Sequence, residues 1–244
     1  MCALKINVLV PPTDSNPFAI IYKPSSLPSA PLKPEDDCAI NQAMEIFPAL
    51  KNVTSKKKQI EYGLLHRIDT ETSGLLLIAA TQECYDFLYE QQTKDLFTKF
   101  YRAKVEPLAQ KDLNLSQSFP PVDFIQNNSL QSCRNFQITS KFRYFGINNS
   151  EVRPVTEKSG KAALNKAVNK IYITNVELYP DNKVICNITQ GFKHQVRCHL
   201  RWIGFPIAGD KVYNPQAGEN KFEFEAFKIK FVHPVTGLDF TFEI

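Results

Sequence analysis

HRIDTETSGLLLIAAT, residues 66–81, is the stretch around which the rest of the chain organises itself. Its second half, 75–80, is an uninterrupted apolar run of strand length. Its first half is polar: His66 and Arg67, then Asp69, then a hydroxyl-rich turn of Thr70, Thr72, Ser73 and Gly74. A carboxylate therefore stands at the mouth of an apolar strand. A helix follows Thr81, with Cys84, Leu88 and Gln91 on one face.

Upstream, 17–22 (PFAIIY) reads as a buried strand, stopped by Lys23-Pro24 and a Ser/Pro-rich turn. From 37 to 47, Ile40, Met44 and Phe47 recur at helical spacing, and 51–58 (KNVTSKKK) is a basic loop. Downstream, 100–105 (FYRAKV) alternates, with Tyr101, Ala103 and Val105 on one side of a strand and Arg102 and Lys104 on the other. Residues 108–155, rich in Asn, Ser and Gln, read as an insertion with short strands of its own, such as 136–145. In the last third, 183–189 alternates Val184, Cys186 and Ile188. The segment 221–231 alternates Phe222 and Phe224, then slips phase at Ala226-Phe227 as a bulge would. Strands grouped with a few helices, without regular βαβ alternation, predict an α+β fold. Nothing marks a linker, so 1–244 is expected to form a single domain.

Composition narrows the class. With 244 residues, 43% apolar and 22% charged, the chain is long enough for a hydrophobic core and is neither disordered nor fibrous. No apolar run reaches the ~20 residues of a membrane span, and the N-terminus lacks the apolar core of a secretory signal. A protein of the cytoplasm, away from membranes and monomeric, is the expectation. The net charge of +4 is too small to prove a polyanionic partner. None of the six cysteines stands at metal-knuckle or redox spacing, so a reduced set is expected.

Two places could carry chemistry. In the helix 194–203, Val196, Leu200 and Ile203 form an apolar stripe and Gly204 is placed to cap its C-terminus. His194, Arg197 and Arg201 share the roughly opposite face, beside Lys193, without an acidic neighbour on the helix. That face is either a phosphate contact or a solvated cationic surface. Asp69 has two readings as well: an Asx-turn residue bonding local amides, or an acid kept ionised by nearby Arg and free to act as nucleophile or base. His194 and His199 are five apart and do not face together as zinc ligands would. There is no GxGxxG, Walker loop, HExxH or GxSxG, so neither a cofactor nor a metal is implied.

Taken together, five segments resemble one family. HRIDTETSGLLLIAAT (66–81) is similar to the central motif of the RluA family of RNA pseudouridine synthases. IIYKPSSLPS (20–29) resembles its opening KPxGL segment and KFYRAKV (99–105) its tyrosine-bearing strand. HQVRCHLRWIGFPIAGDKVY (194–213) and AFKIKFVHPVTG (226–237) resemble its two closing blocks. The resemblance implies a mixed, mostly antiparallel central sheet with flanking helices and a catalytic cleft. It also implies isomerisation of uridine to pseudouridine in ribosomal or transfer RNA, without cofactor. Carried over by position, Asp69 is the catalytic carboxylate, Arg197 ion-pairs with it, and Tyr101 lies against the target uracil. Arg67 helps displace that base from its stack. His66, Lys193, His194 and Arg201 are the further RNA-binding candidates.

Departures from the family pattern bear on recognition. Gln190-Gly191-Phe192 stands where the family usually has Thr-Gly-Arg, Pro107 replaces a glycine after the tyrosine strand, and Ser26 replaces one in the opening segment. The chain is also expected to lack the small S4-type RNA-binding domain of many relatives. RNA recognition would then fall to the catalytic domain, through 108–155 and the 51–58 loop. A non-catalytic RNA-binding or RNA-folding protein on the same scaffold is the alternative that the lost arginine raises.

Overall fold

A computed structural model describes residues 4–108, 119–122, 133–216, 218 and 220–244. The chain divides into two compact units, Met1–Lys99 with Glu225–Ile244, and Phe100–Phe224. The fold is α+β with mostly antiparallel pairing.

In the first unit, β1 (Asn7–Val10), β2 (Phe18–Lys23) and β3 (Ser73–Ala79) pair antiparallel in sequence order. The apolar run 75–79 is buried throughout, which is why it could not alternate. Most of β9 (Phe224–Val232) belongs here. It meets β3 in a short parallel pairing, Ser73 with Glu225 and Gly74 with Ala226, and carries β10 (Asp239–Glu243) antiparallel on its later residues. Ala226 and Phe227 are both buried, so the phase slip seen in the sequence falls between the residues that pair with β3 and those that pair with β10. Gly74 has φ +126, and a Cβ there would lie 2.2 Å from the Ala226 carbonyl oxygen. Only glycine lets the two strands approach here.

Helix α1 (Ala39–Ile46) and helix α2 (Gln82–Thr93) flank these strands. Thr81 caps α2, its Oγ1 accepting the Cys84 N–H at 3.2 Å, and Cys84, Tyr85, Leu88 and Gln91 turn inward. Phe18, Leu75, Leu77, Leu88, Phe97 and Phe231 are among the side chains of the core that results.

The second unit holds most of β4 (Thr98–Lys104), with β5 (Arg134–Phe145), β6 (Glu151–Val155), β7 (Tyr172–Leu178) and β8 (Lys183–Ile188). They lie side by side in the order β4, β8, β7, β5, β6, and β8 with β7, β7 with β5 and β5 with β6 pair antiparallel. On β4, Tyr101, Ala103 and Val105 are buried while Arg102 and Lys104 are exposed, as the alternation requires. Within 108–155 the chain forms β5 from Arg134 and β6, which continue the sheet beyond β7; residues 109–118 and 123–132 lie outside the described residues. Helix α3 (Lys161–Asn165) is a short turn, and helix α4 (Gln195–Trp202) packs with Phe142, Val152 and Tyr213 through Cys198. Gly204, at φ +87, ends α4 in a Schellman motif: its N–H reaches the Arg201 carbonyl and the Phe205 N–H reaches that of Leu200.

The expectation of a two-faced α4 is corrected. Every residue from Gln195 to Leu200 is buried, Arg197 included at 4% exposure. Its charge is met inside the fold by Asp210, a partner that helical spacing does not show. Among the described residues no helix is long and apolar enough to cross a membrane.

Candidate active site

Asp69 is half-buried at the first position of a tight turn, its carbonyl accepting the Thr72 N–H at 3.0 Å just before β3 begins. The segment after β2 clasps this turn. Lys23 is fully buried, and its Nζ donates to the carbonyls of Pro24 (3.0 Å), Leu27 (2.6 Å) and Thr70 (3.0 Å). Ser26 N–H reaches Thr70 O at 2.8 Å, and Ser25 Oγ donates to Glu71 O at 2.6 Å. Ser29 Oγ donates to Ile68 O at 2.7 Å and accepts Ile68 N–H at 3.1 Å. Residues on both sides of Asp69 are thus tied to the chain that leaves β2, which fixes where its carboxylate starts from.

Burial lowers the Lys23 ammonium to about 8, against the pull of the Glu71 and Asp69 carboxylates, which favour its charged form. Glu61, 3% exposed, holds the guanidinium of Arg67 at 2.9 Å, while the Arg67 side chain remains more than half exposed. His66 is buried, its Nε2 accepting the Leu77 N–H at 3.3 Å. Burial, reinforced by Lys99 and Lys57, pushes its pKa well below the ordinary 6.5, so the ring is neutral. Lys99 is itself buried and lowered to about 7, first by desolvation and then by Lys57, with Asp95 opposing.

In the second unit, Tyr101 is 7% exposed and its ring stacks on Phe224, centroids 5.1 Å apart at 19°. Arg197 makes a bidentate pair with Asp210, Nε to Oδ2 and Nη2 to Oδ1, both 2.8 Å. Asp210 Oδ1 also accepts the backbone N–H groups of Val212 (2.9 Å) and Tyr213 (3.1 Å). The guanidinium carbon lies 5.1 Å from the Phe222 ring centre and 5.5 Å from that of Tyr213. Asp210, Phe222 and Tyr213, all of the same unit, thus orient the Arg197 guanidinium. His194 opens α4 in the left-handed region, φ +52, with Nδ1 3.2 Å from the Tyr213 hydroxyl. Lys193 is exposed and donates to Asn149 O at 2.6 Å, and Arg201 is half-buried.

Phe192, at the family's arginine position, packs in an aromatic cluster. Phe142 lies 5.2 Å from it at 11°, Tyr172 5.2 Å and Tyr144 5.4 Å. His199, five residues into α4, is wholly buried between Ser140 Oγ (2.9 Å from Nε2) and Thr174 Oγ1 (2.8 Å from Nδ1). Burial lowers its pKa to about 3. Asp210, Lys23 and Ser29 were not singled out from sequence. All three lie inside segments that resemble the family, Lys23 and Ser29 in 20–29 and Asp210 in 194–213, but their roles depend on partners far away in the chain.

The sequence profile of the RNA pseudouridylate synthase family matches residues 17–202. An uncharacterized RNA pseudouridine synthase of Bacillus subtilis is 28% identical over 184 residues, covering 74% of this chain and 51% of its own. Ribosomal large subunit pseudouridine synthase C of Haemophilus ducreyi is 28% identical over 200 residues, covering 78% and 53%. The chain thus spans about half the length of these curated relatives. Human RNA pseudouridylate synthase domain containing 1 superposes with a TM-score of 0.65 at 16% identity, covering 98% of this chain and 83% of that one, which supports the fold. With the profile running through Asp69, Tyr101 and Arg197, the chain belongs to the RNA pseudouridylate synthase family.

Proposed function

We propose that this protein is an RNA pseudouridine synthase that isomerises specific uridines through Asp69. The reading is carried by the family match over residues 17–202, which includes the 66–81 stretch. The reaction breaks the C1′–N1 bond, joins C1′ to C5, expels the C5 hydrogen as a proton and leaves a proton on N1, so it needs neither oxidant nor cofactor. Relatives are named ribosomal large subunit synthases, which favours ribosomal over transfer RNA as the substrate. The whole chain would act as one catalytic domain, as a monomer in the cytoplasm.

Each site residue has a part its surroundings suit. Asp69 supplies the carboxylate from a turn pinned on both sides. Tyr101, backed by Phe224, offers a firm aromatic surface for uracil, and stacking of that kind returns ~1–3 kcal/mol toward the cost of flipping the base. Arg197 contributes a positive charge whose direction Asp210 has already set. Arg67, more than half exposed on its Glu61 anchor, is suited to enter the space the base leaves. Lys193, His194 and Arg201 are the RNA contacts of the second unit; His66, expected from sequence to bind RNA, is buried and is left out of that set, its ring bonding the Leu77 N–H of β3 instead.

Tritium release from RNA labelled at uridine C5 tests the proposal. Wild type should release tritium from total RNA of cells lacking the protein, and Asp69→Asn should not while still binding RNA. Release by Asp69→Asn at the wild-type rate would remove Asp69 from the chemistry. Salt-sensitive RNA binding without release by wild type would favour a binding-only protein, the reading that Phe192 in place of arginine supports.

A further inference from the structure

The β5–β6 hairpin carries two arginines directly opposite each other, Arg143 and Arg153. Like charges at facing positions of a hairpin repel. Arg153 is buried and accounted for: it pairs with Glu151 at 2.6 Å and lies 4.3 Å from the Phe145 ring centre and 4.7 Å from that of Phe119. Arg143 is not. Its guanidinium rests 4.9 Å from the Phe145 ring centre, and its buried Nε has no hydrogen-bond partner. Desolvation and the facing Arg153 both disfavour its charge. Two arginines facing each other at this end of the hairpin make an anion beside the Arg143 guanidinium favourable.

An open cleft of about 500 Å³ lies at this position, lined by Arg143, Tyr144, Phe145, Gly146, Asn149 and Lys166. That volume falls in the range of small-ligand sites. Tyr144 is 47% exposed and Lys166 is exposed. Gly146, Asn148 and Asn149 all take positive φ, and Lys193 ties the Asn149 carbonyl at 2.6 Å, so the loop at the rim is held in shape. Cations beside an exposed aromatic face are what a single strand of nucleic acid requires: phosphate on the charges, base on the ring.

We propose that this cleft is an accessory subsite for a single-stranded RNA segment, with a phosphate on Arg143 and Lys166 and an adjoining base on Tyr144. It rests on the reading that the substrate is RNA and adds a second point of grip, on the hairpin of the second unit.

The test is binding of a fluorescent oligouridylate of about eight nucleotides, a length suited to one stacking-type site, by the full chain across a salt series. Tyr144→Leu should weaken binding about fivefold or more, and Tyr144→Phe should stay near wild type. Arg143→Gln should lower the log–log salt slope by about 0.7, the contribution of one phosphate on a single strand. Arg143→Gln should also leave the melting temperature equal or higher, because it relieves the repulsion with Arg153, which separates lost binding from lost folding. Wild-type affinity and slope in all three variants would overturn the subsite. Equal displacement by uridine monophosphate alone would overturn the strand reading in favour of a mononucleotide pocket. Tritium release on the same preparations keeps the two proposals apart. Release with unchanged variant binding overturns the subsite alone, and variant-sensitive binding without release upholds the subsite and overturns catalysis.

Discussion

Ser29 holds both backbone groups of Ile68 with one hydroxyl, donating to the carbonyl at 2.7 Å and accepting the N–H at 3.1 Å. Ile68 immediately precedes Asp69, so this pair sets the position from which the carboxylate projects. Both partners are buried.

Ser29→Ala is therefore expected to lower kcat by about ten- to a hundredfold, the scale of a displacement near 1 Å, with KM changed less than about twofold. Ser29→Thr, which keeps the hydroxyl, should restore most of the rate. A purely structural role would lower stability and active fraction without that split between kcat and KM.

Asp210 is 1% exposed, and its carboxylate accepts from both Arg197 Nε and Nη2 and from the Val212 and Tyr213 N–H groups. Asp210→Asn removes the counter-charge of a buried guanidinium, which costs ~3–5 kcal/mol when such a pair is broken from one side. Urea denaturation should show that loss. Adding Arg197→Met to Asp210→Asn should recover part of the stability, because the stranded charge is gone, while activity stays lost.

Stability should fall in mild acid. His199, lowered to about 3, and His66, lowered well below 6.5, enter the fold uncharged. Unfolded, both protonate near pH 6.5, so below that pH the unfolded chain binds protons that the folded chain does not. Their contribution is complete above about pH 7 and is lost as pH falls toward the folded values, by up to about 1.4 kcal/mol per pH unit for each ring. Urea midpoints measured from about pH 7.5 to about pH 5 check the sign, and His199→Gln should make the dependence shallower.

Gly74→Ala should destabilise by at least about 1–3 kcal/mol, since its Cβ would meet the Ala226 carbonyl at 2.2 Å where β3 and β9 run parallel. Thermal unfolding measures the loss. Gly160→Ala, where a Cβ would meet nothing within 4 Å, is the control and should unfold near wild type.

Much of the local structure was legible in the residues. The run at 75–79 and the alternation at 101–105 carry their burial in their own spacing, and Thr81 and Gly204 mark a helix start and a helix end with residue types suited to those backbone positions. Helix α4 was misread for a physical reason. Arginine scores as a surface residue in any local pattern, and only a buried acid thirteen residues later lets Arg197 turn inward.

Spacing and ordered motifs alone were enough for β2, β3, β4, β8 and β9, for the helix ends at Thr81 and Gly204, for the family, and for Asp69, Tyr101 and Arg197 as the residues to watch; β1, β6, β7, β10 and the short helix Lys161–Asn165 went unread. Tertiary structure alone decided that Ser29 and Lys23 hold the turn around Asp69, that His66 is neutral, and that Arg143 faces Arg153 beside an open cleft. Those outcomes depend on burial and on partners far apart in the chain, and a local pattern encodes neither.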